Sequence, residues 1–317
     1  MGEPDGLSIV IPTHNRAEAL AGVVAAASVD PCVREIIVVD DRSSDRTAAV
    51  LAWLSIENPR VRPLGTERNE GPARARALGV DRALASIILC IDDDVLLCPG
   101  AAAGHLAHHQ RAACEVVVGH MPVAASGRPS AVISRYRKLY EERVRLWEAR
   151  PDLILQSLWG GFVSFRREDY LAAGARCDPG LRYHEDHELG LVLAEMGRRA
   201  CFDRRLKAEH RHGRTVGATL RDNRISGAAY AALVRRHPEV PAPEVRFAAE
   251  HASQVRSLTL RVIGSQALQA PLVLACELGE YLAAATGRPR PGNTLLSVGC
   301  RSQYYCGYRS ARTRSNA

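Results

Sequence analysis

Three aspartates in a row, Asp92-Asp93-Asp94, close the apolar run Ile87–Ile91. Adjacent carboxylates repel one another, and ending a buried strand on them is costly unless a cation or hydrogen-bond donors offset the charge. Hard divalent ions such as Mn2+ or Mg2+ take such oxygen ligands and bridge to phosphates. A solvated acidic turn would look the same, so the triplet gains meaning only from its companions. Asp40-Asp41 closes a second apolar run, Glu35–Val39, where a carboxylate can accept hydrogen bonds from a nucleobase or a ribose. The Ser43-Ser44-Asp45 that follows suits a helix N-terminus. Glu185 and Asp186 lie in the acidic segment Tyr183-His184-Glu185-Asp186-His187-Glu188. Acids are favoured at a helix start by its dipole, and a carboxylate here can also serve as a general base. Gly71-Pro72 opens a helix with Arg74 and Arg76 in its first turns, within reach of a phosphate or carboxylate. His210-Arg211-His212 puts two imidazoles on one strand face. The neighbouring arginines disfavour a cation there, and the triple aspartate is what makes a ligand role worth considering.

The elements that must hold these groups follow from hydrophobic pattern. Leu7–Ile11, Glu35–Val39, Val61–Leu64 and Ile87–Ile91 read as short strands, separated by helical spacing over Glu18–Ala27, up to Trp53, and over Gly71–Leu84. Strands apolar on both faces and alternating with helices predict a parallel sheet covered on both sides, an α/β doubly wound architecture. Three strands end in polar loops: Pro12-Thr13-His14-Asn15-Arg16, Asp40 to Asp45, and Asp92-Asp93-Asp94. In open α/β sheets ligands bind beyond the carboxyl ends of the strands, so these loops are expected to share one crevice. Further on, Glu115–Val118 reads as a strand, Ser130–Ala149 as a charged helix, and Trp159-Gly160-Gly161 as a turn inside the apolar run Leu158–Phe165. Helical pattern runs from about Thr215 to Thr286, broken near Pro238–Pro243. Residues 288–317, rich in Pro, Gly, Ser and Arg, read as a disordered tail.

Composition narrows the function classes. The 317 residues are 46% hydrophobic and 24% charged, with a net charge of +7. Six arginines and no acid lie in residues 288–317, leaving the body near neutral. That argues against nucleic-acid binding, which wants a basic face on a folded module, and leaves the tail free to meet anionic lipid. Nine scattered cysteines without a C-x-x-C pair point to free thiols, a reducing compartment and no zinc site. No signal peptide is visible. The apolar stretch Leu268–Leu282 is interrupted by Gln269, Pro271, Glu277 and Glu280, short of the ~20 residues of a membrane span.

Taken in order from Ser8 to about Ala229, the segments S-I-V-I-P-T-H-N-R, I-I-V-V-D-D-x-S-S-D-R-T, N-x-G-P-A-x-A-R, I-D-D-D-V, W-G-G-F, E-D-x-E-L and H-R-H resemble the large family 2 of inverting glycosyltransferases with the GT-A fold. The resemblance implies a Rossmann-like, mostly parallel central sheet flanked by helices, with a helical C-terminal extension. It divides the chain into a transferase domain at 1–230, an extension at 231–287 and the basic tail at 288–317. It implies a metal-dependent transfer, with inversion, from a nucleotide-diphosphate sugar, UDP by default, to an acceptor hydroxyl or amine. Pro12, Thr13, Asn15, Asp40, Asp41, Arg76, Asp92 and Asp93 would then face the nucleotide sugar. Asp92 and Asp94 would hold Mn2+ or Mg2+, completed by His210, with His212 as the rival. Trp159, Gly160 and Gly161 would form the loop beside acceptor and donor sugar. Asp186 would be the catalytic base, with Glu185 beside it. Two positions depart from the pattern: Arg42 follows the acidic pair where a small or amide residue is usual, and Ala77 replaces an asparagine. These departures keep open a protein that binds a nucleotide sugar without turnover. A nucleotidyltransferase would want an N-terminal glycine-rich loop with a lysine, which is missing. The expected partners are the donor and a carbohydrate, lipid-linked or small-molecule acceptor, with no nucleic acid. The expected location is the cytoplasm, with peripheral membrane contact through the basic tail or pairing with a second copy as further options.

Overall fold

Runs of β-branched residues form the strands that their spacing predicts, and they stack as one curled sheet. A computed structural model of the chain describes residues 6–112, 114–124, 130–211, 213–242, 269–286 and 290–314. Contacts divide it into two units, Met1–Ala124 with Tyr140–Arg211, and Ala125–Leu139 with His212–Ala317.

The first unit alternates strands and helices through its first part: β1 (Leu7–Thr13), α1 (Ala17–Ala27), β2 (Val33–Asp40), α2 (Thr47–Glu57), β3 (Val61–Gly65), α3 (Pro72–Asp81), β4 (Ile87–Ile91), β5 (Val95–Leu97), α4 (Ala101–Gln110) and β6 (Val116–His120). Its later part contains β7 (Phe162–Arg166), α6 (Arg167–Gly174), α7 (Glu185–Glu195) and β8 (Ala200–His210); α5 (Ala131–Ala149) falls partly in each unit. The sheet order is β3-β2-β1-β4-β7-β6-β8-β5. β1 lies parallel to β2 and β4, β2 to β3, and β6 to β8, whereas β7 runs antiparallel to both β4 and β6, and β5 antiparallel to β8. The GT-A architecture expected from the sequence is present, with a sheet more mixed than wholly parallel. Every residue of β1, β4 and β6 is buried, which explains why these strands read as continuous apolar runs. β8 is longer than the sequence suggests. Its charged residues alternate outward over Leu206–His210 while Leu206, Ala208 and His210 point inward, the pattern of a half-exposed strand.

One buried carboxylate on β2 ties together β1, β3 and the turn between α3 and β4. Glu35 is 3% exposed and accepts hydrogen bonds from Ser8 Oγ at 2.6 Å and Leu84 N at 2.6 Å, with Arg62 Nη1 on its other oxygen. Burial alone would raise its pKa; Ser8, Leu84 and Arg62 outweigh that and hold the carboxyl below its ordinary range. A depressed carboxyl adds stability above its unfolded pKa and loses it as pH falls through the folded value. Glu35→Ala strands buried donors, and is expected to cost about 2–4 kcal/mol at neutral pH, somewhat offset because Arg62 is partly in water. Urea unfolding at pH 7 and pH 4 checks both points: the wild type should lose part of its advantage over the variant at the lower pH.

In the second unit, α8 (Val216–Arg236) begins with Thr215 Oγ1 accepting from Ala218 N at 3.2 Å, a side-chain N-cap. Its Val216 and Leu220 share a buried cluster with Ala131, Val132, Cys276, Leu296 and Cys300, the last three from α9 (Gln269–Thr286) and α10 (Arg290–Arg314). Two expectations are corrected here. The tail expected to be disordered over 288–317 contains α10, and the break expected at 230–231 falls inside α8. Composition misled because the tail's glycines serve packing. A Cβ on Gly307 would stand 1.9 Å from Arg224 O, and one on Gly227 1.9 Å from Tyr304 O, so α8 and α10 press backbone to backbone, with Tyr230 against Tyr304 and Tyr308. Among the described residues no helix is long and apolar enough to cross a membrane.

The cysteines also depart from expectation. Cys114 and Cys201, 87 residues apart, form a disulfide with a Cα separation of 6.1 Å; the other seven are free. The pairing follows from the β6–β8 ladder, which aligns Val117 with Cys201.

Candidate active site

Because β1, β2 and β4 run parallel, their carboxyl ends open on one side of the sheet. Thr13 stands opposite Asp40 in the β1–β2 register, and β4 hands directly into Asp92-Asp93-Asp94. The reversed β7 enters at this same end, with Phe162 opposite Ile91, so Trp159-Gly160-Gly161 arrive beside the aspartates. β8 finishes there too, with His210 opposite Val95. Five strand ends therefore deliver groups from distant parts of the sequence to one place.

The aspartates have separate surroundings. Asp92 accepts from Arg76 Nη2 at 3.0 Å. Asp93 accepts from Thr13 Oγ1 at 2.9 Å and faces Arg16 Nε at 3.4 Å. Asp94 has His210 Nε2 at 3.3 Å from one oxygen and Arg16 Nη2 at 3.3 Å from the other, and its carbonyl accepts from Arg211 N at 2.8 Å. Burial raises the carboxyl of Asp92, against the pull of Arg76. Burial likewise pushes Asp93 up to about 6, against Arg16 and Thr13. Carboxylates crowded and half-buried in this way favour a site of added positive charge. The donor set of Asp92, Asp94 and His210, two carboxylates and an imidazole, suits Mn2+ or Mg2+. Gly161 keeps the space beside them clear: a Cβ there would come 2.7 Å from Asp92 Oδ2. The residues present thus fit a divalent cation. His212, the rival to His210, lies outside the described residues.

Arg76 and Glu185 lie behind this group. Arg76 is 7% exposed; burial disfavours its charge, but Asp92 outweighs that and keeps the guanidinium cationic. Its Nη1 is 4.0 Å from Glu185 Oε1. Burial and the adjacent Asp186 raise the Glu185 carboxyl to about 8. Asp186 is placed differently. Gly160 N donates to its Oδ2 at 2.8 Å, and His187 N to its Oδ1 at 2.8 Å. The acidic first turn of α7 is thus bonded to the Trp159-Gly160-Gly161 loop, and Trp159 packs edge-on to Tyr140 with centroids 5.7 Å apart.

Two residues expected to face the nucleotide are hydrogen-bonded to neighbouring loops. Asp41 is 3% exposed, and its carboxylate accepts from Thr66 Oγ1 at 2.9 Å, Glu70 N at 2.8 Å and Gly71 N at 2.7 Å. It fastens the 66–71 loop, which is also held by Arg182 on Asn69. Asn15, at a left-handed φ of 55°, accepts from Ser44 N at 2.8 Å and so joins the loops after β1 and β2. Asp40 accepts from Ser43 N at 3.0 Å and stays half-buried at the strand end. Pro12 is the penultimate residue of β1, paired with Val39. Arg42, the departure noted in the sequence, takes a left-handed φ of 59°. Arg16 was visible in the first motif but had no role there; its contacts to Asp93 and Asp94 depend on the fold of the loop.

The profile of Glycosyl transferase family 2 matches residues 8–170, just over half of the chain. The chain belongs to glycosyl transferase family 2. This glycosyltransferase is 28% identical over 252 residues to the succinoglycan biosynthesis protein ExoO of Rhizobium meliloti, covering 74% of this chain and 69% of the relative. It is 34% identical over 97 residues to the GalNAc(5)-diNAcBac-PP-undecaprenol beta-1,3-glucosyltransferase of Campylobacter jejuni, covering 30% of this chain and 31% of that one. Among solved structures, a mannosyltransferase from Pyrobaculum calidifontis in complex with GDP-Man and Mn2+ superposes with a TM-score of 0.63 at 17% identity, covering 96% of this chain and 88% of the other. S. aureus TarS 1-349 gives 0.55 at 15% identity, covering 98% and 92%. At these identities the structural likeness establishes the GT-A fold of the family 2 enzyme and no more.

Proposed function

We propose that this family 2 enzyme moves a sugar from a nucleotide-diphosphate sugar, UDP-linked by default, to a hydroxyl or amine of a lipid-linked or polysaccharide acceptor, with inversion at the anomeric carbon. The observation that carries the reading is the bonding of Asp186 to Gly160 N beside Gly161, whose Cα in turn faces Asp92. Asp186 and Asp92 thus lie against the same glycine loop, which suits a general base close to carboxylates that would face a diphosphate. In this reading Asp40 and the strand end at Pro12 and Thr13 receive the nucleoside, while Asp41 and Asn15 position the loops around it. Asp92, Asp94 and His210 would hold Mn2+ or Mg2+, which when bound supplies positive charge to the departing diphosphate. Arg76 keeps Asp92 in place, and Trp159 borders the acceptor. Asp186 takes the acceptor proton as its oxygen or nitrogen attacks, which forms the new glycosidic bond as the sugar–phosphate bond breaks. Attack on the face opposite the diphosphate gives inversion.

The relatives named for succinoglycan and undecaprenol-linked products support an acceptor that is a growing polysaccharide or a lipid-linked glycan. An undecaprenol-linked acceptor would place the work at a membrane surface. The test is a panel of UDP-, GDP- and dTDP-sugars offered to the purified full chain with Mn2+ or Mg2+, read as nucleotide release. One donor is expected to release nucleotide faster than the rest, and EDTA should reduce that release at least 100-fold, with Mn2+ restoring it. Tight donor binding without release or transfer would mark a nucleotide-sugar-binding protein instead.

A further inference from the structure

A second cluster of ligand-type side chains lies far from the active site. Cys114 stands just ahead of β6 and Cys201 near the start of β8, whereas His210, at the far end of β8, belongs to the catalytic end. Cys201 and His210 are nine positions apart along the strand, roughly 30 Å of extended chain. His108, in the last turn of α4, completes the cluster. Its Nδ1 is 3.9 Å from Cys201 Sγ, and its Nε2 is 2.9 Å from Asp203 Oδ2. The two sulfurs and one imidazole nitrogen all lie within 4.8 Å of one another.

Three features point to a cation rather than to a cross-link alone. First, an ionised carboxylate only accepts hydrogen bonds, and Asp203 is kept ionised by Arg205, whose Nε and Nη2 lie 3.0 and 2.8 Å from it. A neutral His108 that donates to Asp203 carries its proton on Nε2, and its Nδ1 lone pair is then the atom facing Cys201 Sγ. A carboxylate fixing the outer nitrogen of an imidazole is the usual support of a metal-binding histidine. Second, a nitrogen and a sulfur on tetrahedral zinc stand ~3.6 Å apart given the usual zinc–sulfur and zinc–nitrogen bond lengths, and the His108–Cys201 separation of 3.9 Å is within a few tenths of an ångström of that. Third, Cys114 is 4% exposed, while Cys201 is half-buried and His108 is 18% exposed, so solvent can reach one side of the cluster. A plain structural disulfide needs neither the imidazole nor its carboxylate.

We propose that, with its disulfide reduced, the chain binds one Zn2+ through Cys114 Sγ, Cys201 Sγ and His108 Nδ1, with a solvent molecule in the fourth position. The site clips α4 to the opening ends of β6 and β8 and is structural, opposite the chemistry. Reduction by a phosphine delivers two electrons and, from water, two protons to the sulfurs, and the phosphine leaves as its oxide with the water oxygen. Zinc binding then displaces thiol protons to solvent. The cation and the disulfide are alternatives on the same sulfurs.

The experiment uses the full chain, reduced with a phosphine that is then removed, and titrated with Co2+ as a spectroscopic stand-in for Zn2+. A sulfur-to-cobalt charge-transfer band is expected to reach its plateau at one equivalent and to be removed by one equivalent of Zn2+. The catalytic carboxylates and His210 have no sulfur and cannot produce that band. The same wild-type chain with its disulfide intact should show none, a control that needs no substitution. Cys114→Ser/Cys201→Ser should abolish the band, and Asp203→Asn should weaken Co2+ binding about 10–100-fold. A reduced wild type without the band, or a band that survives in the double-serine variant or in the disulfide form, would overturn the assignment.

Discussion

Asp186→Asn is expected to lower sugar transfer about 10^3-fold while changing nucleotide binding less than about threefold. The side chain sits between two backbone donors, Gly160 N on one oxygen and His187 N on the other. Asparagine keeps the shape and one accepting oxygen but sets an NH2 against the second donor, a local cost of about 1 kcal/mol. What it loses entirely is the ability to take a proton, and general-base contributions are commonly 10^2–10^4-fold. Glu185→Gln is the internal comparison. Burial and Asp186 raise the Glu185 carboxyl to about 8, which favours the neutral form that glutamine imitates. Its expected effect is below tenfold at pH 7. Single-turnover transfer, with donor affinity measured separately by calorimetry, separates the two residues. If Asp186→Asn retains a tenth of the wild-type rate, or if Glu185→Gln loses more than Asp186→Asn, the base has been misassigned.

Where sequence reading succeeded, it did so for a physical reason. β1, β2 and β4 are buried on both faces, so their apolar runs stand out, and each ends abruptly in polar residues that had to face a ligand or a loop. Asp92-Asp93-Asp94, Glu185-Asp186 and Trp159-Gly160-Gly161 could be picked out, and the fold brings all three to one end of the sheet. Sequence could not say which way each carboxylate turns. Asp40 and Asp41 look equivalent in the chain, yet Asp41 is consumed by Thr66, Glu70 and Gly71. The donors, one hydroxyl and two backbone amides, lie 25, 29 and 30 residues away, and only the closed loop brings them there. The same holds for Arg16, whose guanidinium reaches residues 77 and 78 positions later. Contacts of this range were also hidden in the cysteines, since a search for closely spaced pairs misses Cys114 and Cys201, aligned by strand pairing. Composition failed at α10 because glycine counts as disorder in a tally but as close helix contact in three dimensions.

Asp94→Asn should remove Mn2+-dependent transfer by about 10^3-fold or more, whereas Asp93→Asn should cost less than about tenfold. The neighbouring carboxylates are chemically identical, so the difference rests on their partners. Asp93 accepts the Thr13 hydroxyl at 2.9 Å and is pushed up to about 6 by burial; an amide can replace much of that hydrogen bonding. Asp94 has His210 Nε2 at 3.3 Å, and the residue after it, Val95, pairs with His210 on the β5–β8 ladder. An amide at position 94 removes a full negative charge from the donor set and leaves Arg16, now without that partner, as a fixed positive charge in the same place. Both changes oppose a divalent cation, so the loss should exceed that of one missing ligand. His210→Ala removes only a neutral ligand and should be milder, with a raised Mn2+ requirement and activity partly recovered in excess metal. Nucleotide release measured across a Mn2+ titration distinguishes these cases. Rescue of Asp94→Asn to near wild-type rates by excess Mn2+ would place the principal metal contact elsewhere. An Asp94→Asn/Arg16→Ala double variant that recovers part of the lost activity would show that Arg16 and the cation compete for the same carboxylate.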